Sequence, residues 1–322
     1  MSMQEFIPVY LITGFLESGK TTLISSMLAD EDFTRRSTGG KQKTLVICCE
    51  EGMEEYDEDK LAKSGVSVVY LDSADEVTTE RMAELAEEYD PDRVIIEYNS
   101  VWTIERLGGC MLPKLWEVVQ IMTCVDATTF DNYFTNMRQL MTDPMKVSDL
   151  VLFNRCDPKA NKSPWRRQVK AVAPRTNVLF ENTDGTSEDG VADEDLPYDM
   201  KAGIIDTPDE HLGTFYIDSM DHPERYDRKT VRFVGQVFQS KKLPKGFYMF
   251  GRMAMTCCAD DIAPIGWITQ GVYQPNPRAK KEFVKLTASC KSATSGGETI
   301  LMFTEVRVEP APAPKDEYLN FN

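Results

Sequence analysis

The chain has 322 residues with 36 Lys and Arg against 52 Asp and Glu, a formal net charge of −16, and 42% hydrophobic and 27% charged residues. At ~100–200 residues per domain this length points to two domains, and the composition excludes an intrinsically disordered or collagen-like chain. An acidic surface repels phosphodiester backbones and anionic bilayers, so no nucleic-acid partner is expected. No run of about 18 apolar residues exists and no basic region precedes the first apolar stretch, which predicts no membrane insertion and a cytoplasmic location. Eight Cys are too few for a disulfide scaffold; the adjacent pairs Cys48-Cys49 and Cys257-Cys258 suit thiol or metal chemistry, or simple burial.

In chain order, Ile7 to Thr13 is short, apolar and β-rich, as a parallel strand covered on both faces should be. A glycine-bearing turn and the helical TTLISSMLAD follow, then a strand from Thr44 to Glu50. Ser73 to Tyr89 reads as an acidic amphipathic helix with Met82, Leu85 and Ala86 on one side. Strands are predicted at Arg93 to Tyr98, Val118 to Ala127 and Asp149 to Asn154, with a helix between the last two. This alternation predicts a doubly wound α/β domain over residues 1–180, with a mostly parallel sheet and flanking helices, which the glycine-lysine motif at its first turn makes P-loop-type. Residues 181–204 are acidic, Gly-bearing and poor in apolar side chains, and read as a linker. Over 205–322 the signals turn to short alternating runs broken by Gly, Pro and Ser-Gly-Gly, which predicts a smaller all-β domain, a barrel or a sandwich, with a Pro-rich extended tail.

Gly14-Phe15-Leu16-Glu17-Ser18-Gly19-Lys20-Thr21-Thr22 matches G-x-x-x-x-G-K-[ST] between a strand and a helix. The two glycines let backbone N–H groups turn inward around phosphate oxygens, Lys20 supplies a cation to the β and γ phosphates, and the Thr21 hydroxyl suits Mg²⁺. Asn154-Arg155-Cys156-Asp157, at the end of a later strand, matches N-[KR]-x-D. Asp157 is the carboxylate that guanine N1–H and N2–H₂ require, Asn154 braces the loop, and the Arg155 stem covers the ring. The expected ligands are therefore GTP or GDP with Mg²⁺, and Gly14, Glu17, Ser18, Gly19, Lys20, Thr21, Thr22, Asn154 and Asp157 are the expected nucleotide contacts.

These motifs together resemble the opening of CobW-type metallochaperone GTPases, relatives of the HypB and UreG nickel-insertion GTPases. The resemblance runs over roughly residues 6–180. It implies a switch containing Glu50, Gly52 and Asp57, with Glu50 near Mg²⁺ or the attacking water. It also implies a Walker-B-like strand carrying Glu97 and a later strand ending at Asp126. Thr21, Glu50 and Glu97 are thus the expected Mg²⁺ set, and Lys20 and Glu50 the expected catalytic pair. Four positions depart from the family pattern: Glu17 stands for a Gly, Cys49 for an Asn, and Asn99-Ser100 for Ser-Gly. The family's C-x-C-C metal motif is missing from the corresponding stretch, Gly65 to Met82, which has no Cys. Cys48 and Cys49 lie beside Glu50, but in a strand they point to opposite faces.

The second half, over about 228–320, resembles the soluble C-terminal domain of bacterial permease-associated proteins of unknown function, on the match of Cys257, Cys258, Asp260, Pro264 and Gly266; the resemblance implies an OB-like barrel and no particular activity. Cys257, Cys258 and Asp260 could hold Zn²⁺ or another transition metal with help from His211, His222, another Cys or a second chain, form a vicinal redox pair, or serve packing and a turn cap. The resulting expectation is a Mg²⁺-dependent GTPase, slowly converting GTP to GDP and phosphate, that acts as a switch in metal handling. It would meet a metal-receiving or permease partner, and by analogy it would form a homodimer. The alternative is a catalytically weak nucleotide-binding scaffold whose β domain binds a partner such as a permease component.

Overall fold

A computed structural model describes residues 6–34, 42–50, 52, 56–189, 196–255, 262–276, 281–295, 298–319 and 321. Contacts divide the chain into two compact units, one of residues 1–160 with 175–190 and one of 161–174 with 191–322.

The first unit is built on one sheet: β1 (Ile7–Gly14), β2 (Thr44–Cys48), β3 (Val66–Tyr70), β4 (Arg93–Glu97), β5 (Trp116–Asp126), β6 (Leu150–Cys156), β7 (Asn177–Asn182) and the short β8 (Ser187–Glu188). The spatial order is β3-β2-β4-β1-β5-β6-β7-β8, parallel throughout except for β8, which folds back on β7. Every residue of β2 and β4 is buried, which is why these strands are continuous apolar runs rather than alternating ones. Helices α1 (Lys20–Ala29), α2 (Glu31–Thr34), α3 (Glu58–Ala62), α4 (Thr79–Tyr89), α5 (Ile104–Gly109), α6 (Phe130–Asn136) and α7 (Arg138–Val147) connect the strands. One core cluster sets Leu45, Ile47, Ile96 and Met82 together; a second sets Val46, Ile95, Ile24 and Leu28 together. After β1 the chain builds β2, β3 and β4 on one side, and then β5 and β6 on the other. The order reverses at β1, and in such sheets ligands sit beyond the strand C-termini at that point.

The helix expected over 73–89 is divided. Ser73 caps a short 3-10 turn, Ala74–Glu76, in a capping box with Glu76, and Thr78 accepts from the Arg81 amide to start α4 afresh. Two N-caps five residues apart offer the backbone this alternative to one continuous helix. Met82 and Leu85 are buried as their spacing predicts. Between β5 and β6 the single expected helix is also two, broken at Met137 (φ −133°, ψ 38°). In the stretch read as a linker, residues 181–188 form the end of β7, a turn and β8, the Asn182 amide donating to the Thr186 carbonyl at 2.8 Å.

The second unit contains α8 (Ser163–Val172), β9 (Ile205–Asp206), α9 (Leu212–Asp221), β10 (Thr230–Phe238), β11 (Phe247–Met255), β12 (Ile262–Gln270), β13 (Val284–Ser295) and β14 (Glu298–Pro310). Strand order β11-β12-β14-β13-β10 together with pairing of β10 to β11 joins these five strands in a ring, with β9 parallel beside β10. Only β12 and β14 pair in parallel within the ring. The first half of β12 carries Pro264, opposite Met253 of β11, and β14 pairs only with Thr269 and Gln270 of β12. Pro264 thus stands where its missing N–H interrupts no ladder to β14. Inward-facing Phe233, Phe250, Trp267 and Phe303 meet Phe215 of α9 in an aromatic core, with Trp267 and Phe303 stacked at 5.2 Å. The tail has no regular secondary structure over 311–314 and then returns. Leu319 and Phe321 are buried, the Leu319 amide donates to the Met253 carbonyl at 2.8 Å, and the buried Arg252 guanidinium donates to the Asp316 carbonyl and pairs with Asp209 at 3.0 Å. No helix among the described residues is long and apolar enough to cross a membrane.

Candidate functional site: a phosphate loop with two carboxylates

The loop between β1 and α1 folds around its lysine. Gly14 and Gly19 have φ of 141° and 90°, and a Cβ at Gly14 would lie 2.4 Å from the Cys124 carbonyl oxygen, one at Gly19 2.6 Å from Asn154 Nδ2. The loop therefore needs glycine at both places for conformation and for space. Lys20 is buried, and its ammonium donates to the carbonyls of Gly14 and Phe15 at 3.0 and 2.8 Å. The same ammonium forms an ion pair with the buried Glu50 carboxylate. Burial, partly offset by Lys20, pushes the Glu50 carboxyl above its ordinary value.

At the end of β4, Glu97 accepts from the Thr21 hydroxyl at 2.7 Å, from the Tyr56 hydroxyl at 2.5 Å and from the Cys48 thiol at 3.6 Å. Parallel pairing of β4 with both β1 and β2 brings these groups to one edge. Burial and the Glu97 charge raise Tyr56, and burial with the same charge raises Cys48 to about 12, so both are neutral donors at physiological pH. Glu17, Gly19, Lys20, Thr21, Thr22, Glu50 and Glu97 line one cleft with Leu16, Gly52 and Arg155.

The last strand-end loop locks the phosphate loop from behind. Asn154 donates from Nδ2 to the Ser18 carbonyl at 2.7 Å, and Arg155 donates to the Glu17 carbonyl at 2.9 Å. Arg155, itself at a left-handed φ of 55°, pairs with Asp126 at 2.5 Å. Burial opposes ionisation of Asp126, but bonds from Thr128 and Arg155 outweigh it and hold its carboxyl below the usual range. Asp157 is exposed, does not line the cleft, and accepts from the Lys159 amide at 2.9 Å.

The residues fit a nucleotide phosphate group and a hard cation. Ser18 Oγ and Asn154 Oδ1 are buried polar atoms without a hydrogen-bond partner beside the loop, and the two glycines keep its cradle clear. Thr21 Oγ1 and Glu97 Oε1, 2.7 Å apart, form a pair of hard oxygen donors of the kind Mg²⁺ takes.

Sequence reasoning did not anticipate Tyr56 at this edge, nor the hydrogen bonds that Cys48 and Ser100 make there. Ser100 Oγ accepts from the Gly14 amide at 2.8 Å and shares a hydrogen with Thr13 Oγ1 at 2.7 Å, so the serine standing where a glycine was expected ties the start of the phosphate loop to the end of β4. Asn99 caps the following turn through the Val101 amide, and Asp57 caps α3 through the Lys60 amide. Glu17, also in place of a glycine, takes a left-handed φ of 61°. Cys48 and Cys49 diverge: the first faces Glu97, the second packs in the core cluster on the opposite side of the sheet. Among the described residues no group of three or more His, Cys, Asp or Glu is placed to hold a metal ion, and His222 lies 3.5 Å from Glu224. Cys257, Cys258 and Asp260 lie outside the described residues.

A parallel sheet with a glycine-bounded lysine loop at its order reversal defines the first unit as a P-loop nucleotide-binding domain. Residues 8–180 match the CobW/HypB/UreG nucleotide-binding domain, and the chain belongs to that family. Residues 184–320 match the DUF1980 C-terminal domain. Among solved structures, a Zn(II)-bound triple mutant of the YjiA GTPase is 19% identical with a TM-score of 0.39, over 54% of this chain and 57% of that one. Zn(II)-bound YjiA GTPase from E. coli is 20% identical (TM-score 0.38), over 53% and 56%. HypB from Helicobacter pylori in complex with nickel is 16% identical (TM-score 0.38), over 56% and 81%. The chain thus spans little more than half the length of the YjiA structures. No curated protein matches the sequence.

Proposed function

We propose that the chain is a Mg²⁺-dependent GTP-binding protein that hydrolyses GTP slowly and acts as a switch in transition-metal handling. The observation that carries this reading is the buried Lys20 ammonium, held by two loop carbonyls at the mouth of a cleft that also presents Thr21 and Glu97. In this reading Gly14, Glu17, Ser18, Gly19 and Thr22 supply the loop around the phosphates, and Lys20 balances their charge. Thr21, Glu97 and Glu50 hold Mg²⁺, which supplies further neutralisation of charge on the transferred phosphoryl group. Glu50, leaving Lys20 to the phosphates, turns to the metal or to the attacking water. Asn154 keeps the loop in register, and Asp157 rotates from its own turn to accept from the guanine edge. Isothermal titration with GTP, GDP and ATP tests this. Preference for guanine nucleotides, with the preference reduced in Asp157→Ala, is the expected result; equal affinity for ATP removes the guanine assignment.

A second reading, a nucleotide-binding scaffold with little turnover, draws on two observations: Glu17 in a left-handed conformation in the loop and Glu50 closed onto Lys20. Phosphate release separates the two. Binding of GTP without release of phosphate in Mg²⁺, with or without a transition metal, supports the scaffold. A metal role for Cys257, Cys258 and Asp260 is tested by Zn²⁺ titration of the wild type against Cys257→Ser/Cys258→Ser; unchanged binding in the double variant removes it.

A further inference from the structure

The second unit carries a sign reversal. From Arg228 through Ala259 the sequence has seven Lys and Arg and no Asp or Glu, in a chain whose net charge is −16. Four of the seven are accounted for: Arg228 pairs with Asp227, Arg232 with Asp206 and Arg252 with Asp209, and the Lys229 ammonium donates to the Met200 carbonyl. The other three, Lys241, Lys242 and Lys245, are exposed on the β10–β11 connection and form no ion pair among the described residues.

Lys241 and Lys245 stand on one lip of a cleft of about 440 Å³, within the range of small-ligand sites. The opposite wall is the segment after β12, with Tyr273 and Gln274, and Phe247 and Tyr248 lie between. That wall is fixed. The Glu305 carboxylate accepts from the Tyr248 hydroxyl at 2.8 Å and from the Val272 and Tyr273 amides at 3.1 Å each, and the Gly271 amide donates to the Gly246 carbonyl at 3.0 Å. Glu305 is thereby committed to the wall itself. Gln239 and Gln274 span the cleft, amide to amide at 3.2 Å, and Val272, between the lining residues Gly271 and Tyr273, is 84% exposed.

We infer that this cleft binds an acidic, extended peptide segment of a partner protein. Lys241 and Lys245 on the lip, with Lys242 between them in sequence, meet carboxylates, side-chain amides pair with a peptide backbone, and the aromatic floor with neighbouring Val272 receives an interspersed apolar side chain. A nucleic-acid strand fits less well. It presents no backbone amides to the glutamines, and wherever it leaves the cleft it meets a chain of net charge −16. The site lies wholly in the second unit and gives a place and a chemistry to partner binding. Nucleotide titration on the same samples reports on the first unit separately.

The test uses the full chain and a fluorescein-labelled hexapeptide alternating acidic residues with leucine, followed by anisotropy at about 50 mM salt, where surface charge is weakly screened. Lys241→Glu/Lys242→Glu/Lys245→Glu should weaken binding at least about tenfold, and wild-type binding should fall as salt rises. Lys291→Glu, on β13 towards the opposite end of β10, should change it less than about twofold. GTP affinity should be the same in all three proteins. The inference is overturned by no peptide binding to the wild type, by wild-type affinity in the triple variant, or by equal loss in Lys291→Glu. It is also overturned if labelled oligothymidine binds more tightly than the peptide and loses that binding in the triple variant.

Discussion

Glu17 and Glu50 put two carboxylates where an incoming phosphate chain needs positive charge. Glu17 holds a φ of 61°, a conformation that costs an ordinary L-residue about 1–2 kcal/mol. Glu17→Gly relieves it at some cost in unfolded-chain entropy, so stability should rise by up to about 1 kcal/mol in urea denaturation and nucleotide affinity should rise with it. Glu50 occupies the ammonium a phosphate would use. Glu50→Gln keeps the shape and removes the competing charge, so GDP binding without Mg²⁺ should strengthen by roughly tenfold in a titration, about one charge-assisted contact. Unchanged GDP affinity in that variant would show that the ion pair does not restrain the loop.

At the scale of elements, strand legibility depended on the strand's surroundings. β10 shows the alternation expected of the second half, because one face is buried and the other is only partly covered. The continuous apolar runs of β1 and β4 were equally readable. The two divided helices were not, since a second N-cap at Thr78 and the break at Met137 are local hydrogen-bonding choices hidden inside a helical pattern. The phosphate loop was legible from its spacing, and Glu97 from the family resemblance. The partners that Tyr56, Cys48 and Ser100 find there depend on β1, β2 and β4 being neighbours, which no local pattern states. The return of the tail to bury Leu319 and Phe321 was missed for a similar reason: a Pro-rich composition describes the irregular part and not the two apolar residues beyond it.

β13 allows a pH prediction. Cys290 is buried in the aromatic-lined core, and burial, with the Asp227 charge, pushes its thiol up to about 12. The unfolded thiol titrates near 8.5. Folding therefore favours the protonated form, and the contribution is complete below about 8.5 and is lost as pH rises through about 12. In urea denaturation, the stability difference between the wild type and Cys290→Ala should shrink steadily across that window. A constant difference would mean that Cys290 keeps its ordinary titration in the folded chain.

For the molecule as a whole, the two compact units have separate hydrophobic cores. A ligand that binds only the folded state stabilises by about 2.7 kcal/mol at a hundredfold excess over Kd. With GTP and Mg²⁺ that gain belongs to the unit holding the phosphate loop. Hydrogen exchange should slow at the amides of β1, β2 and β4, and the rates across β10, β11 and β13 should stay as they were. Slowing confined to the second unit would place the nucleotide elsewhere.

The central claim is that Lys20, cradled by its loop, holds a guanine nucleotide, and isothermal titration of GTP and GDP with Mg²⁺ into the wild type and Lys20→Ala tests it most directly. Removing the ammonium from the phosphates should weaken binding by roughly a hundredfold, about 3 kcal/mol, as expected for a charged group making several phosphate bonds. The same affinity in both proteins, or no nucleotide binding by the wild type, would contradict it.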